Sequence, residues 1–263
     1  FLDPACGSGS FLLRVFERVC EHWQQWLMDN PARRKKDWCW FDAKTNTVHL
    51  TASLKRRILR ETVHGVDLDA QAVEVTQLSL YLKMLEGETT ETLQREQDLY
   101  GNDEAILPPL QDNIKCGNSL IASDFSMMPE DLVRVHAFDW PVQFAPIMKA
   151  GGFDAVIGNP PYVLISPEMF DEQSIEYLRR YEVAQYKADL FHLFIQKGIS
   201  LARERGIFGM IVPNTWLTLQ FTDRLRRYIV EKTAISEVVM FDHLVFEDAN
   251  VYTALLFVEK QKP

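Results

Sequence analysis

Residues 158–163, "GNPPYV", follow an apolar run with an amide, two prolines and a phenol. Pro160 and Pro161 supply no backbone donors and restrict φ, so the segment cannot extend a sheet. It holds Asn159 and Tyr162 in a nearly fixed pose, which suits them to aiming a bound group. A second cluster is "DPACGSGSF", in which Gly7 and Gly9 lie where a strand turns into a helix, letting a ligand approach the backbone near a helix N-terminus. The loop lacks the third glycine of a dinucleotide fingerprint, having Leu12 there, and there is no G-K-[ST] phosphate cradle, so a pyrophosphate ligand is disfavoured. A third element is Asp67 in "GVDLD", an acidic residue closing a strand, where a carboxylate can accept hydrogen bonds from both hydroxyls of a ribose.

Alternating elements must position these groups. Residues 11–27 place Phe16, Val19, Cys20, Trp23, Trp26 and Leu27 at helical spacing, so a helix with one buried face follows the glycine loop. An insertion over about 28–62, basic and interrupted by Pro31, reads as a solvated loop with a small satellite core, ending in a short helix near 53–62. Its Arg33, Arg34, Lys35 and Lys36 beside Trp38 and Trp40 are candidates for touching a DNA backbone. Strand "VHGVD" precedes a helix over 70–85, with Asp69 placed to cap it. Apolar runs at 113–116, 153–158, 206–213, 235–241 and 251–260 complete a set of seven strands, the last two joined without a helix and able to pair antiparallel. The acidic stretch "ETTETLQREQD" reads as a solvated helix face or loop.

Net charge of −9 argues against a protein that grips nucleic acid through bulk charge; any such contact needs a local basic face or another domain. Cys6, Cys20, Cys39 and Cys116 form no C-x-x-C pair, and the histidines form no ligand cluster, so reduced thiols and no metal are expected. No run approaches a membrane span and there is no signal-peptide pattern, which points to a cytoplasmic setting.

With "DPACGSG", "GVDLDAQAVEVTQLSL", "IKCGNSLI", "FDAVIGNPPYV", "DLFHLFIQKGISLARERGIFGMIVPNTWL" and "FDHLVFEDANVYTALLF" all in order, the chain resembles the gamma-class DNA adenine-N6 methyltransferases of restriction-modification systems. It is most similar to type IIG enzymes and related phage-defence methylases. The resemblance implies a Rossmann-like α/β fold of class I S-adenosylmethionine-dependent methyltransferases, with a seven-stranded, mostly parallel sheet in the order 3-2-1-4-5-7-6 and strand 7 antiparallel. It implies S-adenosylmethionine held by Asp3, Ala5, Cys6, Gly7, Gly9, Phe11, Asp67, Leu68 and Asn118. Asn118 stands where family members often carry aspartate, so that contact would be uncharged.

By the same resemblance, the Asn159 side-chain oxygen and the Pro160 carbonyl accept the two N6 hydrogens of an adenine, localising its lone pair toward the methyl group. Pro160 and Pro161 fix the carbonyl. The base must leave the duplex at a cost of a few kcal/mol, and stacking on Tyr162 and Phe246 returns about 1–3 kcal/mol per base. The family also has a cofactor segment upstream of the glycine loop and a downstream target-recognition domain that engages double-stranded DNA. Neither is found in these residues, so the expectation is the catalytic core of a larger polypeptide, weak or inactive alone. A nuclease signature is lacking, since Asp42-x-Lys44 stands alone. Alternatives are an rRNA guanine-N2 methyltransferase, which usually has glycine and a charged pair where Val163 and Leu164 stand, a protein-glutamine methyltransferase, and a non-catalytic cofactor- or DNA-binding module.

Overall fold

The computed structural model describes residues 1–89, 92, 107–246 and 251–261. Nine strands are present among the described residues: β1 (Leu2–Asp3), β2 (Cys39–Asp42), β3 (Thr47–Leu50), β4 (His64–Asp67), β5 (Ile114–Cys116), β6 (Phe153–Gly158), β7 (Ala202–Pro213), β8 (Thr233–Met240) and β9 (Thr253–Lys260). Seven of them form one sheet in the order β5-β4-β1-β6-β7-β9-β8. β6 runs parallel to both β1 and β7, whereas β9 runs antiparallel to both β7 and β8. Counted within this sheet alone, that is the expected order with the last strand reversed. The antiparallel pairing of β9 with β8 is what a strand returning over a short connection gives.

The described residues fall into two compact units. The first comprises Phe1–Cys6, Val66–Asp69 and Cys116–Pro263. Its core is continuous, with Leu2, Val156, Phe208, Leu256 and Val258 from the strands fully buried. The helix Leu190–Leu201 packs on β6 and β7, burying most of its length because Phe191, Leu193, Phe194, Ile195 and Ile199 surround it with apolar side chains. Phe138, Trp140, Phe144 and Phe153 join the same core, Trp140 stacking on Phe144, both meeting Phe153 edge-on, and Phe138 lying edge-on to Trp140.

The second unit comprises Gly7–Gly65 and Ala70–Lys115. Its first helix, Ser10–Asp29, buries Leu12, Val15, Phe16 and Leu27. Trp26, expected on the buried face, is instead 37% exposed, and Val19 is only half-buried. The helix Ala52–Thr62 is where the sequence placed one, capped by Thr51, whose hydroxyl accepts from Leu54 N at 3.2 Å.

The insertion corrects the sequence reading. Rather than a loop it holds an antiparallel hairpin, β2–β3, in register Cys39↔Leu50 to Asp42↔Thr47. Cys39, Val48 and Leu50 bury one face, giving the expected satellite core an ordered frame. Across the strands Trp40 stacks on His49 at 4.2 Å. Asp42 organises the turn, accepting from Lys44 N and Thr45 Oγ1, both at 2.8 Å. Asn46 completes the turn at φ 54°, a conformation asparagine tolerates better than most residues. Two of the insertion's cations are used internally: Arg34 donates to the Leu27 carbonyl at 2.9 Å and lies over the Phe41 ring, and Lys35 lies over Trp38. Most of the acidic stretch read as a solvated helix face or loop lies outside the described residues.

Candidate active site

Four strand ends supply one cavity of about 950 Å³, walled by residues of the first unit. Pro4 and Ala5 follow β1, Asp67 and Leu68 close β4, Gly117 and Asn118 follow β5, and Asn159–Tyr162 follow β6. A cleft at the carboxyl ends of such strands, where the order reverses from β1 outward, is the general ligand position of open α/β sheets. Its size falls within the range of about 300–1,000 Å³ for small-molecule sites.

Of the residues singled out in the sequence, Ala5, Asp67, Leu68, Asn118, Asn159, Pro160, Pro161, Tyr162 and Phe246 line this cavity. Asp67 Oδ1 accepts from Asp69 N at 3.0 Å, which orients the carboxylate at the end of β4. Asn118 Oδ1 accepts from Leu120 N at 3.0 Å, so this amide shapes its own loop while facing the cavity. Its oxygen retains a second lone pair and its NH2 two donors.

Asp3 lies beneath the wall, 1% exposed, and accepts from Ala5 N at 3.0 Å. It touches the start of the N-P-P-Y segment from behind: a Cβ added at Gly158 would meet Asp3 Oδ1 at 2.6 Å. Burial pushes the Asp3 carboxyl up to about 7, against the hydrogen bond from Ala5 and with the help of the Asp67 charge. The folded state therefore holds this proton more tightly than the unfolded chain. Between about pH 4 and pH 7 the native state binds more protons, so stability falls as pH rises through that window and the loss is complete above it. Asp3→Asn, which keeps the acceptor for Ala5, is expected to flatten the dependence, amounting to a few kcal/mol over pH 4–8. Urea denaturation of both proteins across that range checks it; parallel pH profiles would refute the assignment.

The remaining candidates belong to the second unit or to the buried strand end. Cys6 is buried, donating its backbone N–H to the Val66 carbonyl at 3.0 Å. Gly7 and Gly9 adopt φ of 52° and 85°, and Gly9 starts the helix Ser10–Asp29 in the left-handed conformation. Thr76 braces this loop: its hydroxyl donates to the Gly7 carbonyl at 2.8 Å, and a Cβ on Gly9 would meet its Cγ2 at 2.7 Å. Phe11 is 40% exposed on the first helical turn.

At the centre of the wall, Tyr162 O–H faces two acceptors, Asn159 Oδ1 at 2.6 Å and the Ile211 carbonyl at 3.1 Å. The first bond orients the Asn159 amide, with Oδ1 toward the phenol. Burial raises the Tyr162 pKa, so the group remains a neutral donor. Its ring meets Phe191 edge-on at 6.2 Å.

One residue escaped the sequence reading. Asp189 caps the helix Leu190–Leu201, accepting from Phe191 N, and it also accepts from Val163 N at 3.0 Å. Leu190 N donates to the Val163 carbonyl at 2.9 Å, so the residue after Tyr162 is clamped to the helix start from both its backbone groups. The reciprocal bond of the capping box runs from Asp189 N to His192 Nδ1. Burial lowers His192 to about 4, consistent with a neutral ring protonated on Nε2. The signal available in the sequence was an aspartate before an apolar helix; nothing local indicated its reach to Val163. Asp189→Ala is expected to cost about 1–2 kcal/mol through the lost cap and to loosen residues 159–163. Hydrogen exchange at the Val163 amide should rise in step, and unchanged protection would refute the clamp.

Among the described residues, no group of three or more His, Cys, Asp or Glu is placed to hold a metal ion, and the four cysteines form no disulfide. No described helix is long and apolar enough to cross a membrane.

A family model for Eco57I restriction-modification methylases matches residues 61–246. The type II restriction enzyme and methyltransferase RM.Eco57I of Escherichia coli is 32% identical over 268 residues, which cover 99% of this chain and 24% of that protein. Type II methyltransferase M.BstVI of Geobacillus stearothermophilus is 33% identical over 239 residues, 90% of this chain and 32% of that one. The chain thus spans about a quarter to a third of these relatives. Among solved structures, a nuclease-deletion mutant of the type ISP restriction-modification enzyme LlaGI aligns with TM-score 0.61 at 14% identity, covering 100% of this chain and 20% of that chain. The M protein of the type I restriction enzyme EcoKI aligns with TM-score 0.54 at 16% identity, covering 99% and 39%. At those identities the likeness is one of fold, that of class I S-adenosylmethionine-dependent methyltransferases. By the match over residues 61–246, the chain belongs to the Eco57I restriction-modification methylase family.

Proposed function

We propose that this chain transfers the methyl group of S-adenosylmethionine to N6 of an adenine turned out of double-stranded DNA, as the modification activity of a restriction-modification or related defence enzyme. The supporting observation is the convergence of Asn159–Tyr162 with Asp67, Leu68 and Asn118 on one cavity at the strand ends.

The donor set fits the cofactor. Asp67 offers side-chain oxygens to a ribose diol and Asn118 an amide to an adenine edge, while Asp3, buried beneath the wall, braces the Ala5 backbone that lines it. Leu68 lines the same cavity, whereas Cys6, Gly7, Gly9 and Phe11 do not line it and enter this reading only by their position in the motif. When bound, the cofactor supplies an electrophilic methyl group on a sulfonium.

The chain's own residues do the rest. An exocyclic adenine amine is a poor nucleophile because its lone pair is delocalised into the ring. Asn159 Oδ1, held by the Tyr162 hydroxyl but with one lone pair left, and the Pro160 carbonyl accept the two N6 hydrogens. Their fixed positions draw the nitrogen toward tetrahedral geometry, an effect of orientation and preorganised dipoles. Tyr162 and Phe246, both on the cavity wall, provide aromatic faces for the base. Neither acceptor is a base, so the surplus N6 proton leaves to solvent after transfer. The reading puts the protein in the cytoplasm, where chromosomal and invading DNA are accessible.

The test offers labelled cofactor with unmethylated duplex DNA, ribosomal RNA and protein, using residues 1–263 and the full gene product. Nuclease digestion and mass spectrometry should yield N6-methyldeoxyadenosine. Label in guanine N2 or in glutamine would overturn the substrate assignment.

A further inference from the structure

A second groove, about 750 Å³ in volume, begins at Leu164, two residues beyond Tyr162. It is not part of the cavity described above. Its wall presents Tyr186, 67% exposed, and Phe221, 44% exposed, whose rings meet edge-on at 5.2 Å. Around them stand Arg179, Lys187 and Arg224, none of which forms an ion pair among the described residues. Glu168 is the one carboxylate on the wall, and Ser166 holds it ionised. Three cations against one anion, in a chain of net charge −9, make this a local reversal of sign.

The groove is built rather than loose. Gln185 bridges its two sides, donating to Asp223 Oδ1 at 2.6 Å and accepting from Arg224 N at 2.9 Å. Ile165 N donates to the Ala188 carbonyl at 2.9 Å. Lys187 sits at φ 56°, left-handed for a side chain with no local reason to prefer it, and places its ammonium 5.6 Å from the Tyr186 ring centroid. Backbone strain of this kind gathers at ligand clamps.

We propose that this groove receives the unstacked DNA strand next to the everted adenine, with a base on the Tyr186–Phe221 pair and phosphates on Arg179 and Lys187. Aromatic faces beside unpaired cations are what an unstacked nucleotide requires; an acidic peptide would use the cations and leave the rings idle. Tyr162 lines the first cavity and Leu164 this groove, so the two walls adjoin along the chain. The identity of the strand rests on the adenine reading, but the groove's affinity for single-stranded DNA is measurable without any methyl transfer.

Fluorescence anisotropy with a fluorescein-labelled, mixed-sequence deoxyoligonucleotide tests it. Tyr186→Ala with Phe221→Ala is expected to weaken binding roughly tenfold or more. Arg179→Gln with Lys187→Gln should make the log–log salt slope shallower by about 1.4, at about 0.7 per phosphate lost. All four side chains are at the surface, and unchanged cofactor affinity verifies the fold. Both double variants are read by binding alone, so loss of methylation elsewhere does not bear on the groove. Unchanged affinity and salt slope in both double variants would overturn the proposal. So would preferential binding of the matching ribo-oligonucleotide, or equal displacement by polyglutamate.

Discussion

Asn159→Ala is expected to lower single-turnover N6-methyladenine formation by about 10²- to 10³-fold, with cofactor affinity changed by less than about twofold. The magnitude is that of removing one preorganised polar group from a reacting centre. The structural cost should be small. Asn159 is half-buried at the end of β6, and once its amide is gone the Tyr162 hydroxyl still has the Ile211 carbonyl at 3.1 Å. On the proposed mechanism what is lost is the acceptor that fixes the amine, so the effect falls on the chemical step and not on folding. Tyr162→Phe separates two contributions. It keeps the ring while removing the donor that orients Asn159 Oδ1, and a drop of about tenfold is expected from a freed amide rotor. Rapid-quench measurement with the full gene product checks both; a rate within a fewfold of the parent for Asn159→Ala would remove the basis of the mechanism.

The second large effect is expected at Gly158, immediately before that asparagine. A methyl group there would lie 2.6 Å from Asp3 Oδ1 and 3.1 Å from its Cγ. Asp3 cannot withdraw cheaply, being 1% exposed and bonded to Ala5 N. Either the carboxylate rotates and leaves a buried N–H unpaired, or the end of β6 moves away from β1, to which it is paired at Leu2↔Val156. The first disturbs the loop after β1, the second displaces Asn159. Overpacking of this kind costs about 1–3 kcal/mol, or roughly 5 °C in melting temperature for a chain of this size. Gly158→Ala is therefore expected to lose both stability and at least about tenfold in cofactor affinity. Asp3→Ala in the Gly158→Ala background should recover stability but not affinity, which a double-mutant cycle by calorimetry would read directly. Additive losses would show that the two residues are not coupled.

Local pattern alone carried much of this protein. Apolar runs separated by helical periodicity indicated every strand of the large sheet, and the absence of a helix between residues 241 and 251 foretold the antiparallel end that the structure has. Gly7 and Gly9 marked the strand-to-helix turn because left-handed φ leaves few other residue choices. The N-P-P-Y segment declared itself because two adjacent prolines restrict the backbone wherever they occur. The β2–β3 hairpin was missed for the converse reason. Its strands are four residues each, with Trp40 and Phe41 adjacent and both exposed, so no clean alternation marks them, and the order comes from pairing across the turn that Asp42 and Asn46 make. β7 likewise begins at Ala202, within "ARER", because pairing with Phe153 extends it beyond its apolar run.

The relations that give the cavity its shape are of another kind. Asp3 beneath Gly158, Asp189 on the Val163 amide, and Gln185 across to Asp223 each join residues far apart in the chain. A periodicity or a turn signal reports on neighbours within one element, since it reflects φ, ψ and the side to be buried. Which aspartate reaches which amide depends on where whole strands and helices come to rest, and only the packed tertiary structure decides that.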